Sequence, residues 1–85
     1  MKGTEVTFGQ LDRVLRSLGF TWRPGNREPP GRIYQHKATG ATIMLPAYAD
    51  DEKVFEVHLL TARMELENFG IADPTTFAAK LQKAG

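Results

Sequence analysis

Apolar residues recur at intervals of three and four after Thr7 and predict an amphipathic helix over residues 8–18. Its apolar face is formed by Phe8, Leu11, Val14, Leu15 and Leu18. Thr7 precedes Gln10 by three residues, which is the pattern of a capping box at a helix N-terminus. Gly19 follows the last apolar position, where a left-handed residue commonly ends a helix.

Three short segments rich in aromatic and β-branched residues predict strands over residues 20–23, 32–37 and 41–45. The loop Pro24–Gly31, with three prolines and two glycines, separates the first two strands. The last two are joined by a short turn that contains Gly40, as in an antiparallel hairpin. Pro46 cannot donate a backbone hydrogen bond and therefore ends the third strand.

A second helical pattern begins near His58 and ends at Gly70. Its apolar positions are Leu59, Ala62, Leu66 and Phe69. Asp73 followed by Pro74 has the form of a cap and a first-turn proline, and predicts a short third helix over residues 74–84.

These elements follow the order α-β-β-β-α-α and predict an α+β domain. The acidic residues 47–53 are predicted as a loop. A three-stranded antiparallel sheet has one face to bury, and helices with one apolar face each can cover it. We therefore expect a single domain over residues 1–85, with its core in residues 7–71 and its helices packed on one face of the sheet.

The composition of the chain mainly excludes classes of site and of protein. The chain has 85 residues, no cysteine and a net charge of +1, so disulfides, thiolate nucleophiles and cysteine-ligated metal sites are excluded. Its apolar runs are far shorter than the roughly 20 residues of a membrane span, which predicts a cytoplasmic protein with no membrane partner. Residues 1–40 carry seven basic and three acidic side chains, whereas residues 41–85 carry four and seven. The basic half favours an anionic partner.

Arg32, Tyr34 and His36 alternate along the second predicted strand and therefore share one of its faces. If Ile33 points into the core, this row lies on the open sheet face, where it could hold a phosphate and stack a base. If Tyr34 points inward instead, the row does not form a site. The alternation alone leaves both orientations open.

Arginines also surround the proline-rich loop, and glycines flanked by arginines can bind a phosphate. The predicted RNA-binding residues are Arg23, Arg27, Arg32, Tyr34 and His36. Trp22 is either a stacking platform or part of the rim of the core. No glycine-rich nucleotide motif is present, and Asp50-Asp51-Glu52 lacks the alternating spacing of a calcium loop. Neither a cofactor nor a metal is predicted.

Several sequence features, taken in order, resemble the HicA family, the small toxins of HicA–HicB toxin–antitoxin pairs. The features are Leu18-Gly19-Phe20 after the first helix, Ile33-Tyr34-Gln35-His36 in the second strand, Gly40 in the hairpin, Pro46 after the third strand, and Phe69-Gly70-Ile71. The resemblance extends from about Thr7 to Ile71. It implies a fold similar to a double-stranded-RNA-binding domain.

The resemblance also implies an mRNA interferase, an endoribonuclease held inactive by a HicB-like antitoxin. The family assigns cleavage to a histidine in a Gly-Ser/Thr-His motif that opens the second strand. With Ile33-Tyr34 as the anchor, that histidine falls on Gly31 and the two preceding positions fall on Pro29-Pro30. The catalytic motif is therefore missing.

Four functional hypotheses follow. The chain is an RNA-binding domain without family-type cleavage, or an endoribonuclease with a rerouted site. It is otherwise a protein-interaction module of a toxin–antitoxin-like pair, or a structural module. Histidine is the usual proton acceptor near neutral pH. The candidate catalytic residue for the rerouted enzyme is His36 or Arg32, because the other histidine, His58, falls in the first turn of a helix.

Overall fold

A computed structural model of the chain describes residues 3–84, with side chains described from residue 5 onward. Its elements, in chain order, are β1 (Gly3–Thr7), α1 (Phe8–Ser17), β2 (Thr21–Pro24), β3 (Arg32–His36), β4 (Ala41–Leu45), β5 (Lys53–Phe55), α2 (Glu56–Asn68) and α3 (Pro74–Ala84). The predicted α+β class is confirmed: β2, β3 and β4 form a three-stranded antiparallel sheet with the helices packed against it.

The start and the end of α1 follow the predicted signals. The backbone N–H of Gln10 donates to the Thr7 hydroxyl at 3.2 Å, and the Gln10 side chain accepts from the Thr7 backbone N–H at 2.9 Å. This is the predicted capping box. Gly19 has a φ of 97°, a left-handed conformation that glycine adopts without strain, and it ends the helix.

The register of the sheet decides which strand residues face the helices. Tyr34 pairs with Ile43 on one side and with Trp22 on the other, so these three side chains share a face. Tyr34 and Ile43 are buried beneath the helices. Ile33 and Met44 lie on the opposite face, where Met44 is 70% exposed.

Of the two orientations left open for the row of Arg32, Tyr34 and His36, the structure therefore has the one in which Tyr34 points inward. Tyr34 is fully buried and Ile33 is only half-buried. The physical reason is that the Tyr34 hydroxyl finds a carboxylate partner inside, on α1, so the whole aromatic side chain can leave water. The row faces the helices.

A second sheet, absent from the prediction, pairs the N-terminal strand with a strand from the middle of the chain. β1 pairs antiparallel with β5, and each strand leads directly into a helix. The predicted loop over residues 47–53 therefore ends in a strand. Its backbone also caps α1: the N–H groups of Phe8 and Gly9 donate to the carbonyls of Glu52 and Asp50, both at 2.8 Å. These bonds satisfy two of the donors that a helix N-terminus leaves free.

One core lies between the three-stranded sheet and the helices. Its largest fully buried side chains are Tyr34, Phe8, Leu11, Leu15, Ile43, Leu66 and Val54. Leu18 and Leu59, which lie on the predicted apolar faces of the first two helices, are only half-buried. α3 starts as predicted, because the Asp73 carboxylate accepts the backbone N–H of Thr76 at 2.7 Å. None of the helices between residues 3 and 84 combines the length and apolar character that a membrane crossing requires.

Candidate nucleic-acid interface

A three-residue polar network ties β3 to α1. The Tyr34 hydroxyl donates to the Asp12 carboxylate at 2.5 Å, and the Arg32 guanidinium donates to the same oxygen at 3.0 Å. Burial, together with the hydrogen bond to Asp12, raises the pKa of Tyr34 well above its ordinary value of 10.0. The phenol therefore stays protonated and acts as a donor, while Asp12 accepts from both partners.

Aromatic rings fix the position of the Arg32 guanidinium. Its central carbon lies 4.1 Å from the centroid of the Trp22 ring and 4.9 Å from that of Phe8. Both distances are within the range of cation–π attraction. The side chain of Arg32 is 25% exposed and Trp22 is 38% exposed. The cation is thus held rigidly at the edge of the core, with part of its surface and of the indole open to solvent.

Two concavities flank the loop Pro24–Gly31. A crevice of about 270 Å³ on the helix side is lined by Trp22, Pro24, Pro30, Gly31, Arg32, Pro46, Ala47 and Tyr48. A wider groove of about 790 Å³ on the open side has Arg27, Ile33 and Met44 among its lining residues. Trp22 and Tyr48 are the aromatic residues that line the crevice.

Arg32 lines both concavities and Arg27 lines the wider groove, whereas Arg23 lies on the same sheet face as Ile33. Arg23 and Arg27 are exposed and form no ion pair with any residue in the described range 3–84. Arg32 is already paired with Asp12. The structure therefore separates the predicted arginines into two kinds, namely two that are free to contact an anionic ligand and one that is held by the fold.

Gly31 packs against the end of β4. A Cβ at this position would lie 2.2 Å from the backbone carbonyl oxygen of Leu45, far inside van der Waals contact. Gly31 is not among the positive-φ glycines of the described chain, so a left-handed backbone does not explain the glycine here. The reason is instead the close approach of two backbone segments. An imidazole at this position, which the resemblance to the HicA family would require, needs the backbone to move.

His36 is held by both ring nitrogens. Its Nε2 lies 3.0 Å from the carbonyl oxygen of Leu18, and its Nδ1 lies 2.9 Å from the Thr39 hydroxyl. Because a carbonyl can only accept, Nε2 carries the proton and donates it. The ring also packs on Phe20, with 5.0 Å between centroids. His36 joins the end of β3 to the end of α1, and this geometry leaves it no free nitrogen for a substrate.

His58 belongs to an aromatic cluster that no sequence pattern indicated. The Tyr48 hydroxyl lies 2.6 Å from His58 Nδ1 and accepts the backbone N–H of Phe55 at 2.9 Å. The ring of Tyr48 also stacks on Phe8, with 5.6 Å between centroids. The only signal in the sequence was the aromatic character of positions 48 and 55, which lie outside any periodic segment. The cluster fixes Tyr48 as one wall of the crevice.

The acidic triplet Asp50-Asp51-Glu52 contributes backbone carbonyls to the start of α1. Among the described residues, no group of three or more histidine, aspartate or glutamate side chains is arranged to hold a metal ion.

The loop Pro24–Gly31 and its surroundings offer cations, aromatic surface and two concavities to a ligand. No family model, curated protein or solved structure matches this chain.

Proposed function

We propose that the chain binds single-stranded RNA at the loop Pro24–Gly31, without family-type cleavage. The observation that carries this proposal is the combination of two unpaired arginines on the open side, Arg23 and Arg27, with an aromatic-lined crevice on the helix side of the same loop. Single-strand binding modules combine cations that follow the backbone with aromatic side chains that accept bases. An unstacked base can enter the crevice, whereas a paired base cannot.

Each side chain has a distinct role in this proposal. Arg23 and Arg27 contact phosphates on the exposed side of the loop. Trp22 and Tyr48 form the walls against which one base packs, and Arg32 supplies guanidinium donors to its edge. Tyr34 acts through Arg32 only, as a positioning residue, because its ring is buried.

The sole tryptophan makes binding directly measurable. Short single-stranded RNA should change the fluorescence of Trp22 when a base enters the crevice. Two phosphate contacts predict a slope of about −1.4 in log affinity against log salt, at about 0.7 per contact. The double variant Arg23→Ala/Arg27→Ala should lose most of that slope. The control Lys80→Ala/Lys83→Ala removes the same charge from α3 and should bind as the wild type does.

Three results would contradict the proposal. One is the absence of a fluorescence change or of binding at low salt. Another is an equal loss of affinity in the lysine control. A third is tighter binding of duplex than of single-stranded RNA.

The rerouted endoribonuclease has less support, since both nitrogens of His36 have partners within the fold. RNA cleavage by the wild type that disappears in His36→Ala would favour the rerouted endoribonuclease.

A HicB-like antitoxin remains the protein partner implied by the resemblance, and acidic groups of such a protein could bind the same free arginines. Arg27→Glu tests this partner better than a change at Arg32, because Arg32 supports the fold through Asp12. Loss of a stoichiometric co-purifying protein in Arg27→Glu would favour the interaction role.

A further inference from the structure

Helix α2 carries apolar side chains on two opposite faces. Ala62 and Leu66 face the core and are fully buried. Val57, Leu60 and Met64 recur at offsets of three and seven on the outer face, where they are 42%, 41% and 50% exposed. A surface helix normally presents polar residues to water. This outer stripe, defined as Val57, Leu60 and Met64, is therefore an exposed apolar patch, which is typical of an interaction surface.

A row of charged residues borders the outer stripe on one flank. Glu56, Arg63 and Glu67 are spaced by seven and four residues and so lie along the same side of the helix. None of the three forms an ion pair within the described residues 3–84. The row reads negative, positive, negative from the start of the helix. Its charges are available to a partner.

We infer that the outer stripe binds a second copy of this chain, with the two α2 helices antiparallel about a two-fold axis. In an antiparallel helix pair, the row on one flank of a helix faces the same row of the second copy. The midpoint between Glu56 and Arg63 lies one residue from the midpoint of the outer stripe. Arg63 then comes level with Glu56 of the second copy to within about 3 Å along the helix.

Charge complementarity selects this arrangement over the alternatives. The two-fold axis creates two equivalent Arg63–Glu56 pairs while the apolar stripes cover one another. A parallel pair would instead place the charged row against the opposite flank of Thr61, Glu65 and Asn68, where Glu65 could meet Arg63 but Glu56 and Glu67 would find no cation. The inference does not depend on RNA binding, because the outer stripe shares no residue with the loop Pro24–Gly31 or its crevices.

Sedimentation equilibrium of the RNA-free chain over a range of concentrations tests the dimer. The wild type should show a reversible monomer–dimer equilibrium at low salt. Met64→Glu should weaken it at least about ten-fold, because it buries a charge in the stripe. Met44→Glu is the matched control, since Met44 is also exposed but lies on the open sheet face. This control should leave the equilibrium unchanged.

Charge reversal identifies the partner and its orientation. Glu56→Arg and Arg63→Glu should each weaken the dimer about ten-fold, and the double reversal should restore it to within about three-fold of the wild type. The two positions lie about 10.5 Å apart along one helix, so rescue cannot arise within a single chain. Circular dichroism confirms that each variant is folded.

Several outcomes overturn the inference. These are a wild type that is monomeric up to about 1 mM, single reversals without effect, a double reversal that stays weak, or equal losses in Met44→Glu and Met64→Glu. If Met64→Glu fails to fold, the reversal series decides alone, since Glu56 and Arg63 are exposed.

Discussion

The hydrogen bond from Tyr34 to Asp12 is the contact that sets the orientation of β3, and its energy can be measured. Tyr34→Phe removes the hydroxyl and retains the buried ring. A hydrogen bond to a charged acceptor contributes about 1.5–3 kcal/mol. The Asp12 side chain is only 14% exposed, so solvent screening reduces this figure little. We expect Tyr34→Phe to lower the free energy of unfolding by about 2 kcal/mol.

Asp12→Ala should cost more, because it also leaves the Arg32 guanidinium without its carboxylate. The exposed pair between Arg16 and Asp12 adds roughly 0.5 kcal/mol or less. Alanine recovers up to about 0.7 kcal/mol through its higher helix propensity. Both legs of a double-mutant cycle that change Asp12 carry this gain, so it cancels in the coupling energy. The expected coupling between Asp12→Ala and Tyr34→Phe is about 1–2 kcal/mol.

Urea unfolding followed by far-ultraviolet circular dichroism is the appropriate assay. Tryptophan fluorescence is unsuitable here, because Trp22 stacks on Arg32 and responds to the network itself. The control cycle pairs Asp12→Ala with Tyr48→Phe, whose hydroxyl bonds to His58 and the Phe55 backbone instead. Coupling below about 0.5 kcal/mol in the Tyr34 cycle, or equal coupling in both cycles, would refute the assigned role of the Tyr34 hydroxyl.

Gly31→Ala should destabilise the chain by about 1–3 kcal/mol or more, since its Cβ would overlap the Leu45 carbonyl, whereas Gly25→Ala in the same loop meets only ordinary contacts. Chemical denaturation compares the two; equal effects would contradict the close approach. Leu66→Ala should cost about 2–5 kcal/mol, but the same change at half-exposed Leu60 should cost far less in dilute solution. Because the pKa of Tyr34 is raised, the unfolded chain releases this proton above about pH 10 while the folded chain retains it, so stability should fall with rising pH by up to about 1.4 kcal/mol per pH unit. The difference in unfolding free energy between wild type and Tyr34→Phe should therefore shrink above pH 10, and a constant difference would argue against the buried, protonated phenol.

Local signals in the sequence were enough to predict most elements. The capping box at Thr7 and the glycine at position 19 bracket α1 because each acts on its own backbone neighbours. The hairpin through Gly40 and the start of α3 at Asp73 depend on the same kind of short-range chemistry. Such features involve residues within a few positions of one another, so they can be recognised directly in the sequence.

Tertiary contacts decided the rest, including the character of the candidate site. The strand β5 is three residues long and exists because β1 lies beside it, a pairing between segments about 50 residues apart that no local pattern encodes. Which face of β3 is buried depended on Asp12, twenty-two residues away, offering a carboxylate to the Tyr34 hydroxyl. Alternation shows which residues share a face of a strand but not which face is buried, because the two faces are equivalent until something packs on one of them. The same packing held Arg32 inside the fold, left Arg23 and Arg27 free, and required glycine at position 31.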